Sequence, residues 1–350
     1  MIHAIIMAGG KGTRFWPFSR ALKPKQFLEI IGEKSLLRYT LERLNQFVAP
    51  ENTWIVGNYE QKEQLLLNQK SVPIDQILYE PFGKNTAPCI GWAALEILKK
   101  DPDAIMVILP SDHFIKDQTG FVNTIKIAVE FVQEKNCLVT IGIKPKFPHT
   151  GYGYIEVESS SDKVCKVTNF KEKPDLEIAK EYIAAGNYYW NSGIFVWHAK
   201  KILELIQNWL PDLAMSLENI ALLDSKNQSY QQELAVEYEK IQGISIDYGI
   251  LERSVAETFL VPADFDWNDI GSWGALEEFL DRDDKKNRFS HEVVALDSSN
   301  NLVFSKKRLV ALIDVEDLIV IDTEDALLVL PKKSDQKIKE LYEKLPGNYQ

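Results

Sequence analysis

The sequence has few cysteines, no long apolar run and no excess of positive charge. Its three cysteines, Cys89, Cys137 and Cys165, are far apart, odd in number and without metal-type spacing. That excludes a disulfide framework and reads as reduced thiols in a cytoplasmic protein. The longest apolar runs, such as residues 105–109, fall far short of the roughly 20 residues of a membrane span. No charged segment followed by an apolar stretch opens the chain, so secretion is not expected either. Lysines and arginines number 40 against 51 aspartates and glutamates, a formal net charge of -11. That argues against nucleic acid or an anionic membrane surface as partner. A small anionic ligand is not excluded, because it meets local cations rather than the total charge.

What is present suits an ordinary globular enzyme. The 350 residues are 45% hydrophobic and 26% charged, enough for one large α/β domain and a smaller one. Residues 3–7 form a short β-branched run that ends in glycines, which reads as a buried strand entering a tight loop. Helical periodicity follows at 35–47, a strand at 53–57, a helix at 61–67 and a short strand at 76–79. A helix over 86–98 tolerates Pro88 in its first turn, and a strand over 104–109 ends in Pro110-Ser111-Asp112-His113. This alternation predicts a parallel sheet covered on both faces, with ligands outside the carboxyl ends of the strands. Two motifs lie at such ends: the glycine loop after Met7 and Ser111-Asp112 after Leu109.

Farther on, strands are expected at 137–143, 153–158, 164–170 and 193–197, and helices at 176–185, 200–209, 213–223, 230–240 and 273–281. The charged stretch 281–288 reads as an exposed boundary between domains at 1–284 and 289–350. Beyond it, ALIDVEDL at 311–318 is echoed by IVIDTEDA at 319–326 and in part by 327–330. An eight-residue echo of short strands and acidic turns suggests a small β domain or a β-helix fragment. Ser334 is placed to cap a last helix at 335–345.

The glycine loop carries the first chemical signal. Gly9, Gly10 and Gly12 remove side chains where backbone N–H groups can point at phosphate oxygens. Arg14 adds a fixed cation, and Lys23 and Lys25 follow with Pro24 between them. The loop is not a P-loop, which needs four residues between its glycines and Gly-Lys followed by Ser or Thr. It is not a dinucleotide fingerprint either, since Phe15 stands where a third small residue should pack on the sheet.

The string GGKGTRFWPFSR with PKQF at 24–27 resembles the nucleotide-sugar pyrophosphorylases, or sugar-phosphate nucleotidyltransferases. EPFGKNTAP at 80–88, PSDH at 110–113, EKP at 172–174, WNSGIF at 190–195 and WNDIGSW at 267–273 narrow the match to the branch that uses GTP and mannose 1-phosphate. The resemblance spans about residues 1–278. It implies a Rossmann-like nucleotidyltransferase α/β domain with a mixed, mainly parallel sheet, followed by a short left-handed β-helix. The family commonly has leucine where Phe15 and Phe18 stand and often alanine at Ser111; none of these departures removes a charge. Relatives with an added cupin-type isomerase domain are longer, so a single activity is expected.

The implied reaction is attack of α-D-mannose 1-phosphate on the α-phosphorus of GTP, giving GDP-mannose and pyrophosphate. A phosphate monoester has its second pKa near ~6 and needs no general base at neutral pH. The protein must hold two repelling anions in line and neutralise the developing charge. The resemblance implies that Asp112 and Asp269 hold Mg²⁺ or another divalent cation, as two carboxylates with waters and phosphate oxygens can. It implies Arg14 and Lys25 for the triphosphate and departing pyrophosphate, and Lys173 for the sugar phosphate. Ala8, Gly9, Gly10, Gly12 and Thr13 would cradle the nucleotide, with Glu80, Asn85 and Thr86 near the base. Glu80 suits the two N–H donors of guanine but reads equally as a loop cap. Gly153, Glu172, Asn191 and Asp247 are the expected sugar contacts; Asp247 reads equally as a helix N-cap, and Tyr189 and Trp190 as core.

A glucose 1-phosphate enzyme with another nucleotide is the nearest alternative. A non-catalytic nucleotide-sugar-binding subunit is disfavoured because no loop cation or candidate metal ligand is missing. GTP and mannose 1-phosphate are therefore the expected partners. The oligomeric state is left open, with a homodimer among the options.

Overall fold

A computed structural model describes residues 1–10 and 12–350; Lys11, inside the glycine loop, lies outside the described residues. The chain divides into two compact units that do not follow sequence order. The first holds Met1–Gly9, Leu41–Ser111 and Ile115–Trp267; the second holds Gly10–Thr40, Asp112–Phe114 and Asn268–Gln350. Among the described residues no helix is long and apolar enough to cross a membrane.

The first unit is built on a nine-stranded mixed sheet. Its strands are β1 (Ile2–Ala8), β2 (Thr53–Asn58), β3 (Ile77–Glu80), β4 (Ile105–Pro110), β5 (Leu138–Ile143), β6 (Gly153–Val157), β7 (Cys165–Glu172), β8 (Tyr188–His198) and β9 (Thr258–Pro262), in the order β3-β2-β1-β4-β8-β5-β9-β7-β6. The half built from the regular N-terminal alternation, β3-β2-β1-β4, is all parallel. Strand β8 then runs antiparallel to both β4 and β5. Residues 4–6 of β1 and 105–109 of β4 are buried without interruption, as central strands covered on both faces require. Met7 pairs with Pro110, and Ser111 N donates to Met7 O at 3.1 Å. The two motif-bearing strands thus end side by side.

Three expectations are corrected here. The strand expected at 193–197 starts at Tyr188, because Tyr188–Trp190 also pair with β6. Residues 273–281 form a 3-10 turn at Gly274–Phe279 rather than an α-helix. Only six residues long and burying Leu276 alone, the segment is short for α-helical nucleation. Ser334 is not a helix cap: the chain enters its last helix, Ile338–Glu343, through a 3-10 turn at Lys332–Lys337. The long helix Gln118–Lys135 has no counterpart among the expectations above. Its β-branched residues and Gly120 weaken local propensity, but Asp117 caps Gly120 N at 3.0 Å and Phe121, Ile125, Ala128 and Val132 are fully buried. The three cysteines are free and buried.

The second unit contains a β-helix. Its strands are β10 (Arg288–Phe289), β11 (Val293–Leu296), β12 (Leu302–Phe304), β13 (Val310–Ile313), β14 (Leu318–Asp322) and β15 (Leu327–Pro331). The parallel ladders β12–β14 and β11–β13 pair Leu302 with Ile319 and Val293 with Val310, so these two ladders repeat every 17 residues. The step from the echo copy at 311 to that at 319 passes from the β11–β13 ladder to the sheet that holds β12 and β14, and the next copy, at 327, stays in that sheet. Strand β15 closes the stack antiparallel to β14.

This β-helix shares a core with the glycine loop. Phe15, Trp16, Leu28, Ile30, Ile270 and Trp273 are buried together with Leu302, Phe304, Ile319, Ile321, Leu328 and Ile338. Phe18 stands edge-on to Phe304 with ring centroids 4.9 Å apart, and Trp273 lies 5.1 Å from Phe15. The bulky residues at 15 and 18 therefore fill the seam between loop and β-helix.

Candidate active site

In the second unit, six of the expected residues line one cavity of about 360 Å³: Gly12, Thr13, Arg14, Lys25, Asp112 and Asp269. Phe15, His113, Ile270, Gly271 and Lys339 complete its wall. Gly12 has φ +58, and a Cβ there would sit 2.6 Å from Lys25 N. Left-handed backbone and close approach both demand glycine at this point. The short 3-10 turn Thr13–Phe15 follows at once, with Phe15 N donating to Gly12 O at 3.1 Å. Gln26 Nε2 donates to Gly10 O at 3.2 Å and ties the loop to the PKQF segment.

The two aspartates reach the cavity through a small laced strand pair. Phe114 and Asn268 exchange backbone hydrogen bonds of 2.9 and 3.0 Å. Ile270 takes the left-handed conformation at φ 45, with Asn268 Oδ1 accepting from its N–H at 2.7 Å. The tight turn thus falls on Ile270 rather than on Gly271. Gly271 instead leaves room for the Asp269 carboxylate, whose Oδ2 would lie 3.0 Å from an added Cβ.

Lys25 is buried and turned inward. Its Nζ donates to Asp112 Oδ2 at 2.9 Å and to the Asp269 carbonyl oxygen. Burial alone would raise the Asp112 carboxyl, but the charges of Lys25 and His113 outweigh it and hold it below its ordinary value. Among the described residues no group of three or more metal-ligating side chains is clustered. The cavity offers two carboxylates, and these hard oxygen donors fit a divalent cation whose remaining ligands are water and phosphate oxygens.

In the first unit, Gly153, Glu172, Lys173, Asn191 and Asp247 come together. Asn191 Nδ2 donates to Asp247 Oδ1 at 2.7 Å, while Asn191 Oδ1 accepts from Gly193 N at 3.1 Å. Glu172 Oε1 lies 3.1 Å from the exposed Lys173 Nζ. A Cβ on Gly153 would sit 2.3 Å from Glu172 Oε2, so glycine there gives this carboxylate its place. Burial pushes the Asp247 carboxyl up to about 6; the Asn191 amide pulls it down and the nearby Glu172 raises it. Asp247 is not the N-cap of its short helix, since Ser245 accepts from Tyr248 N. Tyr189 and Trp190 are core residues, 4% exposed each.

Glu80 ends β3 and is buried. Burial pushes its carboxyl up to about 8, against a small opposing effect of Tyr238, whose hydroxyl donates to Glu80 Oε1 at 3.4 Å. A Cβ on Gly9 would stand 3.3 Å from Glu80 Oε2, and Ala8 before it is fully buried at the end of β1. Asn85 and Thr86 have structural tasks. Asn85 is the N-cap of helix Thr86–Lys100 at φ 73, and Thr86 Oγ1 accepts from Ile246 N at 2.8 Å.

Four residues escaped the sequence reading: Gln26, His113, Tyr238 and Lys339. Gln26 and His113 lay inside quoted motifs, but nothing in the pattern showed that their side chains would turn to the loop or the cavity. Tyr238 and Lys339 sit on helices far along the chain, where a tyrosine reads as core and a lysine as solvated surface.

The nucleotidyl transferase family model matches residues 3–286. A second, the MannoseP isomerase/GMP-like beta-helix domain, matches 291–345. A mannose-1-phosphate guanylyltransferase of Klebsiella pneumoniae is 38% identical over 360 residues, spanning 99% of this chain and 74% of its own. One from Escherichia coli is 39% identical with the same coverage. A crystal structure from Thermus thermophilus, described as a mannose-1-phosphate geranyltransferase, has a TM-score of 0.88 and 32% identity and covers 98% of both chains.

Proposed function

The chain belongs to the nucleotidyl transferase family, and we propose that it transfers GMP from GTP to mannose 1-phosphate, releasing pyrophosphate. The observation that carries the reading is the cavity in which Gly12, Arg14, Lys25, Asp112 and Asp269 meet. Glycine, cations and carboxylates without a nucleophile–base pair suit phosphoryl chemistry, where holding and neutralising anions is the main task.

The loop glycines and Thr13 receive the phosphates, and Arg14 offers an exposed guanidinium toward them. Lys25 fixes Asp112 by an ion pair and is within reach of phosphate oxygens that enter the cavity. Asp112 and Asp269 would hold a divalent cation, which when bound supplies positive charge to the triphosphate. Gly153, Glu172, Asn191 and Asp247 bind the hexose hydroxyls, and the exposed Lys173 takes the sugar phosphate. Glu80 is the proposed reader of guanine, accepting from N1–H and N2–H once it gives up the proton that burial holds on it; adenine has no matching donor pair. Because the sugar phosphate is already mostly dianionic, its oxygen attacks the α-phosphorus without a base, and the bond to pyrophosphate breaks. The cytoplasm is the compartment proposed for this reaction. Residues 1–284 are proposed as the catalytic domain and 289–350 as the β-helical one.

The test is pyrophosphate release from GTP, ATP, UTP and dTTP, each with mannose 1-phosphate and with glucose 1-phosphate, with and without chelator. GTP with mannose 1-phosphate is expected to exceed every other pair, and chelator to abolish it. A different preferred pair would sink the substrate assignment; full activity in chelator would sink the metal role.

A further inference from the structure

We infer that Lys339, on the last α-helix of the chain, is a phosphate-binding residue for the β- and γ-phosphates of GTP and for departing pyrophosphate. The inference rests on the proposed reaction and adds a group that none of its motifs contains. Lys339 lines the same cavity as Arg14, Lys25, Asp112 and Asp269. Its side chain is exposed and, among the described residues, has no ion-pair or hydrogen-bond partner.

The charge balance of the cavity calls for such a group. Lys25 already spends its ammonium on Asp112 and on the Asp269 carbonyl. A divalent cation held by Asp112 and Asp269 would answer the negative charge of those two carboxylates. The triphosphate brings several further negative charges, and pyrophosphate carries them away. Among the described residues, Arg14 and Lys339 are the lining cations with no carboxylate beside them, His113 lying 4.0 Å from Asp112 Oδ1, and they join Lys25 in meeting these charges. Lysine suits the task as a compact point charge on a flexible stem, able to follow a leaving group as it moves.

The fold holds the stem in place. Ile338, the preceding residue, is 2% exposed in the core that contains Phe15, Trp16 and Trp273. Trp16 Nε1 donates to Tyr349 O at 2.8 Å, and Gln350 Nε2 donates to the carbonyls of Tyr342 and Leu345 at 3.0 Å. The C-terminal segment is therefore pinned to the phosphate loop within one compact unit, with Lys339 facing the cavity.

The experiment compares wild type with Lys339→Met, Lys339→Glu and Lys339→Arg in both directions of the reaction. Lys339→Met is expected to raise KM for pyrophosphate in the reverse direction roughly 10-fold or more, the effect of losing one charge-assisted contact. KM for GTP should rise in parallel, KM for GDP-mannose should hold within about 2-fold, and melting temperature should not change. Lys339→Glu should be worse, and Lys339→Arg should recover most of the loss. An unchanged pyrophosphate KM in Lys339→Met, or an equal rise in KM for GDP-mannose, would overturn the inference. Wild-type enzyme inactive with GTP and mannose 1-phosphate would instead overturn the proposed function, so the two failures are distinct.

Discussion

Glu80 shows how a single buried carboxyl makes stability depend on pH. Its carboxyl sits at about 8 in the folded chain because burial disfavours its charge, against 4.5 for an ordinary glutamate. Between those values the folded state keeps a proton that the unfolded state has released. Stability therefore falls as pH rises from about 4.5 toward 8 and levels off above. Glu80→Gln removes this slope. The variant is expected to gain about 3–4 kcal/mol over wild type at pH 8 relative to pH 5, read by urea denaturation at both pH values. The comparison between two pH values cancels any fixed loss from the Tyr238 contact. An identical difference at both would mean that Glu80 does not carry the proton. The residue scale also shows what a sequence can and cannot tell. Gly12 was legible in part because a left-handed turn pressed against Lys25 admits little but glycine, whereas Asp112 was singled out by the family resemblance, its place past a strand end reading equally as a turn residue. Lys339 was not legible, since its place at the cavity depends on where a distant helix docks.

At the scale of elements, the β-helix has a repeat that can be broken at one corner. Asn301 is fully buried, and its side chain ties together Asn287, Val315 and Leu318. Its Nδ2 donates to Asn287 Oδ1 and Val315 O at 3.0 and 3.1 Å, and its Oδ1 accepts from Leu318 N at 3.0 Å. Asn287 in turn donates to Ser298 O at 3.0 Å. Replacing Asn301 by alanine orphans Leu318 N–H and takes one of two donors from Val315 O and from Asn287 Oδ1. The expected cost is about 2–4 kcal/mol, visible as a fall in the β-helix melting transition. A change below about 0.5 kcal/mol would show that water replaces the ladder. The acidic echo at 311–326 revealed short strands and turns but not the 17-residue stacking, because pairing partners lie two echoes apart and the intervening turns differ. The first sheet was more legible. Its parallel half reads from local alternation, whereas β8's pairing with both β4 and β5 depends on contacts made across long stretches of chain.

At the scale of the whole chain, sequence order and compactness divide the protein differently. The family models break near residue 290, in line with the charged stretch 281–288. Compactness instead groups Gly10–Thr40, Asp112–Phe114 and the chain from Asn268 onward, β-helix included. The physical cause is the shared core. Phe15, Trp16 and Trp273 are 1%, 6% and 0% exposed, and the residues that bury them include Phe304, Ile319, Ile321, Leu328 and Ile338. A chain ended after Asp284 would keep every motif recognised in the sequence, from Gly9 to Trp273, yet bare this apolar surface beside the cavity. Burying an aromatic or large aliphatic side chain is worth about 1.5–3 kcal/mol, so the loss would exceed what a loop can absorb. The 1–284 fragment is expected to lose pyrophosphate release with GTP and mannose 1-phosphate entirely and to bind a hydrophobic dye. Its nine-stranded sheet should persist by far-ultraviolet circular dichroism. Turnover near the full-length rate would show that the β-helix is an appendage. Loss of activity with a persistent sheet would show that the phosphate loop takes its shape from residues far outside its own motif.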